Sequence, residues 1–214
     1  MPDLIPLDAT MVRRVATFGT GLVLVAVGVA CTITAELGVA PYDVLSTGLV
    51  ELLGIPIGLA AMLLPLAFVV LGRSLGARLG PGTVLAVLLV GPMLGAVLDV
   101  LPEPEAIPVR LVLFVVGFAL ITLGITSTVI PQIGPGPAEL LMLALHERGH
   151  ALAPVRTAIE IVSVAIGWLM GGQVGAGTVI FALLIGPALR RTLSAAGYDT
   201  TTAAEASDRA APGA

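Results

Sequence analysis

Gly38-Val-Ala-Pro41-Tyr-Asp43 returns later in the chain as Gly134-Pro-Gly-Pro137-Ala-Glu139, displaced by 96 residues (134 − 38). A second passage, Gly80-Pro-Gly82-Thr83-Val84 followed by Gly91-Pro92, returns as Gly175-Ala-Gly177-Thr178-Val179 followed by Gly186-Pro187, displaced by 95 (175 − 80). Both passages lie in apolar sequence, so each half of the chain is broken in the same way at the same places. Duplicated, interrupted hydrophobic segments mark internally repeated membrane proteins, in which two matched irregular motifs surround one pseudo-symmetry axis. The repeat thus predicts an architecture before it predicts an activity.

The composition around these passages decides the solvent. Of 214 residues, 57% are hydrophobic and only 11% charged, with a mean hydropathy of +1.07. Soluble domains carry about 25% charged residues, so the surplus apolar surface here must face a lipid bilayer. The net charge of −4 arises from 14 acids and 10 arginines, with no lysine. No basic stripe is present and aromatics make up 4%, which argues against a nucleic-acid partner. Cys31 is the single cysteine, so neither an intramolecular disulfide nor zinc-type spacing is available, and a buried thiol is expected. The apolar run after Arg13 and Arg14 is long enough to span, and its counterpart from Leu111 to Ile130 sits mid-chain. It reads as a retained membrane helix rather than a cleaved leader.

Six apolar segments are expected to cross the membrane, at about 13–35, 57–72, 82–101, 110–130, 154–171 and 177–193. They divide the chain into a polar lead (1–11), a first repeat (12–101), a charged linker (102–109), a second repeat (110–193) and a disordered polar tail (194–214). Each repeat also holds a shorter apolar segment, 43–53 or 139–147. Eleven residues at about 1.5 Å each cannot cross a core of about 30 Å. The short segments read as re-entrant or interfacial helices, with short spanning helices as the alternative. If they do not span, each repeat has three crossings and the second repeat is inverted. A cytoplasmic N-terminus then places nine arginines inside and Arg110 alone outside, and the C-terminus is cytoplasmic too. The four-crossing alternative gives eight against two.

The motif Gly-x-x-Pro-x-acid carries the functional reading. Gly38 and Gly134 permit a sharp turn, Pro41 and Pro137 suit the first position of a new helix, and Asp43 or Glu139 complements its positive end. Irregular backbone at membrane depth is tolerated only against protein or a water-filled cavity. Asp43, Thr47 and Glu51 lie four apart on one face, whereas the second copy has Glu139, Leu143 and Glu147. Asp43, Glu139 and Thr47, with the broken backbone at Gly38, Pro41, Gly134 and Pro137, are candidates for binding a small solute, cation or proton; helix capping at the membrane surface is the plainer alternative, and Glu51 and Glu147 read as solvated. Arg156 and Glu160, four apart in the fifth long segment, are expected to meet on one helix face, and ionisable residues inside membrane helices are functional candidates.

The second motif supplies helix breaks. Gly82-Thr83 and Gly177-Thr178 open helices with the threonines expected as N-caps, and Pro92 and Pro187 are expected to kink them. Small residues there also permit close packing, which leaves a homo-oligomer open. His146 and His150 stand four apart but on a charged turn, and read as solvated rather than metal-binding. Tyr42 and Trp168 read as interfacial anchors. No cofactor motif, nucleophile elbow or phosphate loop is present, so no enzyme activity is expected.

At these residues the chain resembles the YczE/YyaS/YitT-like family of bacterial inner-membrane proteins, its YczE branch above all. The resemblance runs through Leu37 to Asp43, Gly54-Ile-Pro-Ile-Gly58, Gly80 to Pro92, Gly134-Pro-Gly-Pro137, Val155 to Glu160 and Gly175 to Pro187. It implies a polytopic α-helical plasma-membrane protein and carries over no catalytic residue; Glu139 departs from the aspartate or neutral residue the pattern leads one to expect. The combined expectation is an all-α protein of two inverted repeats, each of three spanning helices and one short helix, that transports or exports a small solute. The alternative is a non-transporting accessory protein that positions a partner.

Overall fold

In a computed structural model, which describes residues 9–197, the chain is all α-helical among the described residues. The helices are α1 (Ala9–Ala35), α2 (Pro41–Leu53), α3 (Ile57–Ser74), α4 (Pro81–Leu98), α5 (Ile107–Val129), α6 (Pro137–His146), α7 (Leu152–Leu169) and α8 (Ala176–Ala195). Six of them are long and apolar enough to cross a membrane; α2 and α6, at 13 and 10 residues, are not among these.

Helix ends follow the breakers. Pro41, Pro81 and Pro137 each open a helix, where a missing N–H costs no bond. Gly54 ends α2 in the left-handed conformation (φ +64°), returning its N–H to Val50 O at 2.8 Å. Several expected boundaries move. The lead is helical from Ala9, α4 stops at Leu98, and α8 runs to Ala195, into the expected tail. Residues 1–8 of the lead and 198–214 of the tail, with Arg209, lie outside the described residues.

The centre of the bundle is an antiparallel pair, α1 against α5. Gly21 faces Gly124 and Gly28 faces Gly117, so the two backbones touch. A Cβ on Gly28 would stand 2.8 Å from Gly117 O, and one on Gly117 would stand 2.7 Å from Gly28 O. Without a hydrophobic force between helices in lipid, such small-residue contacts supply the dispersion energy of association. Arginines lock both ends of the pair. Arg14, near the start of α1, donates from Nε to Pro131 O at 2.9 Å, just past the end of α5. Arg110, near the start of α5, pairs with Glu36 at 2.6 Å, just past the end of α1. Around this seam lies the main core, in which Phe181 of α8 sits edge-on to Phe114 and tilted against Phe118 of α5. Cys31 is buried there as a free thiol.

The other helices flank the pair. α4 lies on α1 and α3, α8 lies on α5, α3 packs with α6, and α2 packs with α7. The seam between α3 and α4 is again backbone on backbone, with a Cβ on Gly58 only 2.8 Å from Gly91 O. Along their lengths α7 and α8 are not packed together. Pro65, Pro92 and Pro187 lie inside α3, α4 and α8; Pro65 adds an interior proline beyond the repeated pair.

Candidate functional site

The two repeated motifs are seated on each other crosswise. In the turn after α1, Leu37 O accepts the N–H of Gly177 at 2.7 Å. A Cβ on Gly38 (φ +101°) would stand 2.6 Å from Gly175 N, so only glycine fits. In the turn after α5, Ile133 O accepts the N–H of Gly82 at 3.4 Å, and Gly134 packs on Gly80. Each Gly-x-x-Pro turn of one half therefore rests on the Gly-x-Gly-Thr helix start of the other. This satisfies irregular backbone that lipid could not satisfy. Glu36 and Gln132, just before these turns, both adopt positive φ (53° and 50°).

The threonines of the second motif do not cap as expected. Gly80 and Gly175 take extended backbone at the N-cap, which moves Thr83 and Thr178 to the third helical position. From there Thr83 Oγ1 donates to Pro135 O at 2.6 Å, and Thr178 Oγ1 accepts from Gly175 N at 3.3 Å. Thr83 thus fastens the crossed seat rather than its own helix.

On α2 the polar face divides into separate roles. Thr47 Oγ1 donates back within its helix to Asp43 O at 2.9 Å and accepts the N–H of Gln173 at 3.0 Å. Gln173 also donates from Nε2 to Ile33 O at 3.3 Å, so it straps α1, α2 and the α7–α8 turn together. Nothing in the local pattern announces this, because its partners lie more than a hundred residues away. Glu51 and Glu147 are exposed. Asp43, partly buried at the third position of α2, has no hydrogen bond or ion pair at its carboxylate among the described residues.

Burial pushes the Asp43 carboxyl up to about 7. Its folded value lies above its unfolded value near 3.9, so the folded state holds the extra proton in between. Stability then falls as pH rises through the folded value and levels off above it. The melting temperature of detergent-purified protein is expected to drop by about 5 °C between about pH 5 and pH 8. Asp43→Asn removes the drop; an unchanged pH dependence in that variant would refute the assignment.

A polar cluster gathers where α2, α6 and α7 approach. Arg156 Nε donates to Glu160 Oε1 at 2.9 Å, with 41% and 19% of the two side chains exposed. Glu139, exposed at the third position of α6, and the Tyr42 hydroxyl lie within electrostatic reach of Arg156. Tyr42 also stands edge-on to Phe68 of α3 with centroids 5.8 Å apart, half-buried between helices rather than standing free. The fold thus brings Tyr42, Glu139, Arg156 and Glu160 together, while Asp43 stands apart from them. Trp168 is exposed near the end of α7. His146 and His150 spend their ring Nδ1 atoms on the turn after α6, at His150 O and Leu145 O.

Comparisons with known proteins agree with the membrane character and assign no activity. A Bacillus subtilis protein described as "Uncharacterized membrane protein YczE" is 30% identical over 187 residues, covering 86% of each chain. An "Uncharacterized protein" of Haemophilus influenzae is 32% identical over 166 residues, covering 77% of this chain and 76% of the relative. No solved structure matches. With six apolar helices and this kinship, the chain is a multi-pass membrane protein. Matched over residues 12–193 by the description "Family of unknown function (DUF6198)", it belongs to that YczE-like family.

Proposed function

We propose that this protein is a bacterial inner-membrane transporter or exporter of a small solute or ion, built from two inverted repeats with α2 and α6 as re-entrant half-helices. The observation that carries the reading is the cluster of Glu139, Arg156, Glu160 and Tyr42 beside the starts of two short helices in an otherwise apolar bundle. Charges at that depth are costly, and they mark substrate or ion pathways. Transporters place such sites where broken helices of two repeats converge.

The inverted pairing is supported by the antiparallel α1 and α5, and by the exchange of contacts between halves. Under the sequence offsets, α2 on α7 corresponds to α6 on α3, and α1 with α4 to α5 with α8. Re-entry of α2 is supported by its register: Tyr42 at its start meets Phe68, well along α3, while its end turns directly into the start of α3. The two copies differ at the site. Arg156 and Glu160 correspond, 95 residues earlier, to Ala61 and Pro65. A single asymmetric site follows.

Seven described arginines gather at the end of the bundle where α1 begins, Arg156 stands one turn into α7 from that end, and Arg110 lies at the other end with Glu36, Glu51, Asp99, Glu103 and Glu105. The basic end is cytoplasmic on this reading. Reporter fusions after Gly54 and Pro104 are expected to report the outside, and a fusion after Ser74 the cytoplasm. A cytoplasmic Gly54 would make α2 a spanning helix and sink the re-entrant scheme. Transport itself is tested by reconstituting the full chain in liposomes and following imposed proton and small-solute gradients. Unchanged flux in the Asp43→Asn/Glu139→Gln double variant removes the site. Absence of any flux from wild-type protein favours the accessory role, with which the internal use of Thr47 and Gln173 would agree.

A further inference from the structure

Gln173, in the turn between α7 and α8, is fastened on both sides of Asp43. Its carbonyl accepts the N–H of Val39, just before α2, at 3.4 Å. Its own N–H donates to Thr47 Oγ1, one turn beyond Asp43, at 3.0 Å. Helical side chains lean over the preceding turn, so Asp43 and Thr47 share one face, and Gln173 bridges the stretch that holds them.

Two polar groups in this stretch lack a partner. Among the described residues, Gln173 Oε1 is the one buried side-chain nitrogen or oxygen with no hydrogen bond. Its amide cannot simply turn over, because Nε2 donates to Ile33 O at 3.3 Å and an oxygen there would face an oxygen. The second group is the Asp43 carboxyl, partly buried and without hydrogen bond or ion pair among the described residues. The charged residues on the helices packed against α2 are Arg156 and Glu160 of α7, Arg73 of α3, and Arg190 and Arg191 of α8, with Glu51 on α2 itself. Arg156 and Glu160 hold each other, and Glu36 in the turn before α2 is held by Arg110. None of these charges moves the Asp43 carboxyl, which burial alone pushes up.

An ionised Asp43 only accepts hydrogen bonds, as Gln173 Oε1 does, so the two oxygens repel. A protonated carboxyl supplies the O–H donor that Oε1 lacks. The second half has no such pair. Under the sequence offsets Val39, Thr47 and Gln173 correspond to Pro135, Leu143 and Arg78, which removes the N–H, the hydroxyl and the amide. Glu139, in place of Asp43, is exposed. We infer that Asp43 and Gln173 form a proton-controlled latch: the Asp43 carboxylate takes a proton from water, donates it in a hydrogen bond to Gln173 Oε1 and ties the α7–α8 turn to α2, and return of the proton to water unties it. No bond joins the two side chains in this structure, so closing the latch turns one toward the other.

The latch does not rest on the transport reading, since its test involves no flux. Full-length protein in neutral detergent is followed by hydrogen exchange, read by mass spectrometry on the peptide spanning the α7–α8 turn. Each rate is divided by that of the unfolded chain at the same pH. In wild type the turn is expected to be about fivefold better protected at about pH 5 than at about pH 8, the equivalent of one hydrogen bond. Asp43→Asn, whose side-chain amide donates at any pH, keeps the turn protected under both conditions. Asp43→Leu, neutral but without a donor, leaves it unprotected under both. Gln173→Leu removes the acceptor and with it the pH dependence. Equal protection of wild type at both pH values overturns the latch. Matching profiles from the asparagine and leucine variants of Asp43 overturn it too, because burial of the carboxyl would then be its whole effect. Wild type and Asp43→Asn decide the point by themselves if the leucine variants do not fold.

Discussion

Gly117→Leu is expected to leave almost no folded protein in the detergent-soluble fraction, with loss of the cooperative thermal transition. A Cβ at this position would stand 2.7 Å from Gly28 O, 2.7 Å from Thr32 Cγ2 and 3.1 Å from Cys31 Cβ. Two of these three neighbours belong to the main chain or are fixed at Cβ, so no rotamer change relieves them. Leucine adds three further carbons to the same space, at a cost of about 3 kcal/mol or more. That is a large part of a total stability of about 5–15 kcal/mol. The seam at risk joins the two halves, so helices cannot simply readjust around it. Gly19 lies on the partner helix α1, and a Cβ there meets nothing within 4 Å. Gly19→Ala is expected to be neutral or to stabilise by up to about 1 kcal/mol. Comparable melting temperatures for the two variants would show that α1 and α5 do not meet through these glycines.

The second large effect concerns Arg156. Its partner Glu160 is four-fifths covered, so Arg156→Met leaves a carboxylate with its paired cation removed and Glu139 without its nearby positive charge. On the transport reading, flux in liposomes is expected to fall about 100-fold, as for loss of one partner of a desolvated pair at about 2–5 kcal/mol. Stability in detergent falls as well, so the discriminating variant is the charge exchange Arg156→Glu/Glu160→Arg. It keeps a pair and restores the melting temperature, but reverses the sign of the charge facing Glu139 and Tyr42. Restored stability without restored flux assigns the cluster to the transported species. Full recovery of both makes the pair structural only.

Much of this arrangement is written in consecutive residues. Apolar runs place the six long helices to within about four residues, and Gly-Pro breaks place the two short ones, because helix length and termination depend on local backbone chemistry. The pair Arg156–Glu160 is equally local, since four residues make one turn. The seat of Tyr42 was not legible. A tyrosine near a helix start suits a membrane interface, and only the fold shows Phe68 beside it. Thr83 was misread for a related reason. Its hydroxyl is directed by Pro135, which arrives from the other half, as Gln173 does for the Thr47 hydroxyl.

By itself, then, the sequence determined that the chain lives in lipid, where its helices start and stop, and that both halves break alike. Composition, periodicity and the dihedral limits of glycine and proline act on neighbours along the chain. Only the tertiary structure decided that each Gly-x-x-Pro turn rests on the opposite half, that Glu139 rather than Asp43 joins the polar cluster, and that α4 closes on α3 through glycines while α8 does not pack on α7. Close approach needs complementary surfaces on two helices at once: Gly58 offers Gly91 bare backbone, whereas the residue 95 positions after Gly58 is Ala153, and α7 does not close on Gly186. That condition belongs to pairs of residues far apart in the chain.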